Sequence, residues 1–168
     1  LVEQDDRLVP GSSRIDTYVR PTSEGYGRWP DVQFELSGLG RFAIEVQFAP
    51  SLAPEVAGRS DFYLREKMHL IWVIPRYDFE VAKRAFADDI AYEGSGTAFC
   101  LDEEADTRSR ELKTLVLRAL WREEGVVRDE LVALADLNFP VRGHPFFMDT
   151  LSKGILDAAQ RERQRVVA

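Results

Sequence analysis

Alternation over residues 42–48 constrains this chain more than any other feature. Phe42, Ile44, Val46 and Phe48 fall at every second position, with Glu45 and Gln47 between them. Side chains two apart share one face of a strand, so the apolar set lines one face and Glu45 and Gln47 the other. Upstream, Val32, Phe34 and Leu36 repeat the pattern, with Asp31, Gln33 and Glu35 interleaved. A four-residue bend over 37–40 makes the two runs a β-hairpin. For the apolar faces to coincide, the register must pair residues of equal parity, because a one-residue slip turns one strand over. Pairing Phe34 with Phe42 sets Asp31 opposite Glu45, and a slide by two sets it opposite Gln47. In either register Asp31, Glu45 and Gln47 converge on one patch. Adjacent carboxylates repel unless a cation lies between them, and hard divalent cations favour oxygen ligands. The alternative is an amphipathic hairpin whose polar face is simply solvated.

The rest of the chain falls into order around this hairpin. Residues 1–13 read as an irregular lead-in and residues 14–20 as a strand, followed by a loop over 21–29. Pro54 suits the first turn of a helix reaching to about Lys67, which sets Arg59 and Tyr63 one turn apart on a common face. Residues 69–75 are nearly all apolar, as in a strand buried on both sides of a parallel sheet. Strand, helix, strand in this order is a crossover unit. Asp78 caps a second helix through about Ile90, on which Phe79, Ala82 and Phe86 recur at helical spacing. Residues 97–101 form a short strand. Asp102 then starts a helix to about Glu124, residues 126–137 form a shorter helix or a strand followed by a turn, and residues 146–166 are helical with Gly154 as a weak point. The expected organisation is a mixed α/β core over 14–101 with a helical extension over 102–168 packed on it.

Composition excludes several classes. A chain of 168 residues with 45% hydrophobic and 30% charged residues has enough apolar material for one ordinary domain. Its formal net charge of -7 gives no global attraction to nucleic acid, so such a partner would need a local basic patch or a focused cleft. Cys100 is the single cysteine, which rules out an internal disulfide framework and fits a reducing compartment such as the cytoplasm. No apolar run is long enough to span a membrane. Leu1 carries neither an initiator methionine nor a signal-peptide pattern, so the chain reads as a piece of a longer protein. There is no Ser/His/Asp set, phosphate-binding glycine loop or zinc-spaced cluster, and His69, His144 and Trp72 read as structural.

The segments Trp-Pro-Asp-Val, Phe-Ala-Ile-Glu-Val-Gln-Phe, Arg59-Ser60-Asp61-Phe62-Tyr63 and Leu70-Ile71-Trp72-Val73, in this order, resemble the core of the PD-(D/E)XK nuclease superfamily. They are most similar to its competence protein CoiA-like bacterial branch. The resemblance spans residues 14–75 and implies a restriction-endonuclease-like α/β fold, a mixed central sheet with flanking helices. It implies a metal-dependent nuclease acting on nucleic acid, DNA before RNA. Asp31 and Glu45 would hold Mg²⁺ or Mn²⁺, with the Val46 backbone carbonyl near the same ion. Gln47 stands where most of the superfamily has lysine, and brings an amide dipole in place of a positive charge. Arg59 and Tyr63 resemble the helical Gln-x-x-x-Tyr element of RecB-like relatives, with arginine replacing glutamine, and would support substrate. Many members draw a further acid from a helix before the sheet; here only Glu3, Asp5 and Asp6 lie upstream. Gln47 also leaves open a catalytically silent version that binds nucleic acid or a partner protein. Arg108, Arg110, Lys113, Arg118 and Arg122 recur along the expected long helix, as a solvated face or a nucleic-acid-facing patch.

Overall fold

The computed structural model describes residues 1–49, 53–76 and 84–156. Their strands lie side by side in chain order: β1 (Arg14–Ile15), β2 (Val32–Leu36), β3 (Gly40–Val46), β4 (Met68–Val73), β5 (Thr97–Cys100), β6 (Val116–Glu123) and β7 (Val126–Ala133). The first three form an antiparallel meander, β4 and β5 run parallel to β3, and β6 and β7 close the sheet antiparallel. The chain is therefore α/β, built on a mixed seven-stranded sheet. No described helix is long and apolar enough to cross a membrane.

Two helices cover one face. α1 (Ala53–Arg65) makes the crossover from β3 to β4, and α2 (Arg84–Glu93) leads into β5. Their buried residues Val56, Phe62, Tyr63 and Ile90 pack on Ala43, Leu70, Trp72 and Ala98. On the opposite face Phe34, Phe42, Ile44, Ile71, Val73, Phe99, Leu117 and Trp121 meet Leu134 and Leu137, with Phe139 and Phe147 packed against them. The double-sided burial of β4 explains why its sequence is a continuous apolar run and not an alternation.

Three expectations are corrected. The helix opened by Asp102 is α3 (Glu103–Leu112), ten residues long, and the segment expected to continue it is strand β6. Asp102 does cap it, accepting from the Ala105 amide at 2.9 Å, but Lys113 takes a left-handed conformation (φ 51°) and ends it. Leu112, Leu115, Val116, Ala119 and Leu120 fit a helical template by coincidence: a strand buried on both faces has no polar positions to reveal its period of two. Consequently Arg108, Arg110, Lys113, Arg118 and Arg122 do not share a helix, and Arg118 is buried within β6. The strand over 14–20 is confined to Arg14–Ile15, with a separate bridge from Val19 to Arg28. Residues 126–137 are the second alternative, strand β7 and then a 3-10 turn over Leu134–Asp136. The chain is helical over 150–156. Asp78, Phe79 and Ala82, and the later part of the C-terminal helix, lie outside the described residues.

β4 and β5 pair only at Val73 and Phe99, supplemented by the Ile74 amide donating to the Phe99 carbonyl at 2.8 Å. Earlier in β4 the Leu70 amide has no strand beside it. His144 fills the gap: its Nδ1 accepts from Leu70 at 3.2 Å and its Nε2 donates to the Ser60 carbonyl at 3.1 Å. Burial pushes this imidazole down to about 4. An unfolded histidine titrates near 6.5, so between those values the unfolded chain binds the proton and the folded chain does not. The His144 contribution is therefore complete above pH 6.5 and lost as pH falls to about 4. Urea midpoints measured across that window are expected to drop by the equivalent of roughly 3 kcal/mol. His144→Gln is expected to flatten the dependence.

Candidate functional site

The hairpin adopts the register with Phe34 opposite Phe42 and Val32 opposite Ile44, which places Asp31 opposite Glu45 one step beyond the last ladder pair. Continuing the same pairing sets Pro30 opposite Val46. Proline has no N–H, so it offers the Val46 carbonyl no ladder hydrogen bond. The Val46 amide turns instead to the Asp31 side chain, donating to Oδ2 at 2.6 Å. Asp31 is exposed, and among the described residues its Oδ1 accepts no hydrogen bond.

Glu45 is the opposite case: it points under α1 and is 3% exposed. Its Oε1 accepts from the Tyr63 hydroxyl at 2.7 Å and its Oε2 from Arg59 Nη1 at 2.6 Å. Arg59 also reaches Glu55 at 3.3 Å, so residues 55, 59 and 63 use one face of α1 at successive turns. Burial raises the Glu45 carboxyl above its ordinary value and the nearby Asp31 charge adds to this, while Tyr63 and Arg59 pull it back down. Tyr63 itself is pushed well up, by burial and by Glu45. Arg59 and Tyr63 therefore form the bracket that fixes Glu45 and opposes the upward push of burial on its carboxyl.

Gln47 continues β3, its amide N–H donating to the Val73 carbonyl at 2.9 Å, and its side-chain Nε2 donates to the Ala49 carbonyl at 2.6 Å. Upstream, Asp5 is held by Arg7 and Thr114, which occupy its carboxylate and lower it to about 2.

Asp31 Oδ1, the Glu45 carboxylate and the Val46 carbonyl supply oxygen donors only, the set that suits Mg²⁺ or Mn²⁺. Among the described residues no three His, Cys, Asp or Glu side chains group as metal ligands, so such an ion would rest on two carboxylates, a carbonyl and waters. The donor chemistry suits an ion of that kind, and both Glu45 oxygens already accept hydrogen bonds from Arg59 and Tyr63.

Residues beside the site went unread in the sequence. Arg28 is half-buried, its Cζ 6.0 Å from the centre of the Phe62 ring, and its charge reaches Tyr63. Among the described residues its guanidinium has no ion pair, and Nε is buried without a hydrogen bond. Trp29, two residues before Asp31, packs against Tyr18 with the two rings tilted by 45°. The only sequence signal was their adjacency to Pro30-Asp31. In comparisons with protein-family models, curated proteins and solved structures, the chain matches none of them.

Proposed function

We propose that the chain is a nuclease domain of restriction-endonuclease-like architecture that hydrolyses phosphodiester bonds in DNA with Mg²⁺ or Mn²⁺. The observation that carries this reading is the placement of Asp31 opposite Glu45 at the open end of the β2–β3 ladder, beside the Val46 carbonyl, to which Pro30 offers no N–H. Further support comes from the order of elements, an antiparallel meander followed by a helical crossover to a parallel strand. The ion, when bound, polarises a phosphate oxygen and lowers the pKa of a bound water. Asp31 and Glu45 would hold it with the Val46 carbonyl, Arg59 and Tyr63 orient Glu45 and favour its charged form, and Gln47 would offer an amide to the attacking water or to phosphate.

One feature favours a second reading, a silent module that binds nucleic acid or a partner protein. Both Glu45 oxygens already have donors within the protein, and the Gln47 amide donates to Ala49. Cleavage of linear and circular DNA with Mg²⁺ or Mn²⁺ against EDTA separates the two readings. Metal-dependent cutting lost in Asp31→Asn is the expected result. Cutting by Gln47→Lys alone would favour the silent module, and no cutting by any variant with no calorimetric binding of either ion would sink the metal site.

A further inference from the structure

We infer that the Tyr18–Trp29 pair is a base-stacking wall, and that the site beside it takes an unpaired nucleic-acid strand. The inference rests on the nuclease reading and adds the substrate class. The rings of Tyr18 and Trp29 lie with centroids 4.4 Å apart, yet they are 41% and 59% exposed. Trp72 and Trp121, the other two tryptophans, are 5% and 8% exposed and belong to the two cores. Trp29 thus lies outside both cores.

The wall is built rather than incidental. Tyr18 accepts the Gly27 N–H on its hydroxyl at 3.0 Å, with its ring close beside that residue. A Cβ at position 27 would stand 2.5 Å from the Tyr18 ring and 2.1 Å from the Val19 carbonyl, so only glycine admits the ring. The Val19–Arg28 bridge closes the loop from the other side, and Thr22 ties it to the end of α1 by donating to the buried Glu66 carboxylate at 3.1 Å. The ring pair is therefore held in place before any ligand arrives, which lowers the ordering cost of stacking a base on it.

Its position gives the substrate class. Trp29 leads through Pro30 to Asp31, and Arg28 lies over Phe62, the neighbour of Tyr63. A strand with one base on Trp29 would bring its backbone past the Arg28 cation towards the two carboxylates. Bases in a duplex already spend both faces on stacking, so an aromatic wall gains nothing there without unstacking them. A single strand offers a free face at every base, independent of sequence.

The test uses intrinsic fluorescence, since Trp29 is the exposed tryptophan. Oligo(dT) of about twelve nucleotides, a length within the usual single-strand site size, is titrated in EDTA and again in Mg²⁺, beside a blunt duplex and a proline-rich peptide. Cleavage of strand and duplex is scored in parallel. The expected result is quenching by oligo(dT) and little by duplex, with anisotropy of labelled oligo(dT) showing about tenfold weaker binding for Trp29→Ala and near-parental binding for Trp29→Phe. Binding unchanged in Trp29→Ala, duplex bound as tightly as strand, or quenching by the peptide alone would overturn the wall. Cleavage of duplex with no stacking leaves the nuclease standing and removes the wall, whereas stacking without hydrolysis counts against the nuclease only.

Discussion

Glu45→Gln is expected to lower metal-dependent hydrolysis by about a thousandfold or more while leaving the protein folded. The loss follows from replacing a charged ligand of the ion by a neutral amide, which forfeits roughly 4 kcal/mol of transition-state charge stabilisation. The retention of fold follows from the bracket around this residue. Tyr63 donates to Oε1, a contact the glutamine oxygen can keep, and Arg59 still has Glu55 at 3.3 Å. The substitution also removes the desolvation penalty that raises the Glu45 carboxyl. The amide NH2 that replaces Oε2 faces the Arg59 Nη1 donor, so stability is expected to fall by about 1–3 kcal/mol. Cleavage rate and urea midpoint, measured on the same preparation, check both halves. A large fall in midpoint would mean that Glu45 is chiefly a structural charge, and hydrolysis near the parental rate would remove it from the metal centre.

Arg118→Ala is expected to cost about 3 kcal/mol of stability. Arg118 is 7% exposed in the middle of β6, and its guanidinium is divided among three carboxylates. Nε meets Asp102 at 2.5 Å, Nη1 meets Asp129 at 3.2 Å, and Nη2 meets Glu104. Arg76 pairs with Asp129 from the side. Truncation leaves these acids facing one another without the central cation, and it loosens Asp102, the cap of α3. The midpoint of thermal unfolding should fall by roughly 10 °C. Arg118→Lys, which keeps the charge without the planar fork, should fall between the two. Equal stability of Arg118→Ala and the parent would show that the three acids are adequately solvated on their own.

The hairpin was legible because its information is local: equal parity and two apolar faces leave few registers, and the observed one is the first of the two considered. The burial of β4 and the shared face of Arg59 and Tyr63 were legible for the same reason. What was not legible is that both side chains turn inward to Glu45, since a helical spacing gives the face and not its partner. β6 was missed because burial on both sides erases the alternation that identifies a strand, and its apolar residues happened to satisfy a helical template. That error carried Arg118 with it: a cation counted as a possible surface contact is a buried side chain whose guanidinium joins three more exposed carboxylates. The Tyr18–Trp29 wall escaped notice because it is made by loop residues brought together through a glycine contact, and no periodicity describes that.

The sparse pairing of β4 with β5 divides the mechanical duties of the sheet. Strands β2 to β4 with α1 carry the hairpin acids and their bracket, whereas β6, β7 and α3 carry the Arg118 cluster. The backbone ladder between the two halves is thin, so their cohesion rests on the two side-chain cores that both halves share, with His144 and the Arg76–Asp129 pair as polar ties. A change in either core therefore reaches both halves, and Asp31 and Glu45 would feel it through packed side chains sooner than through the ladder.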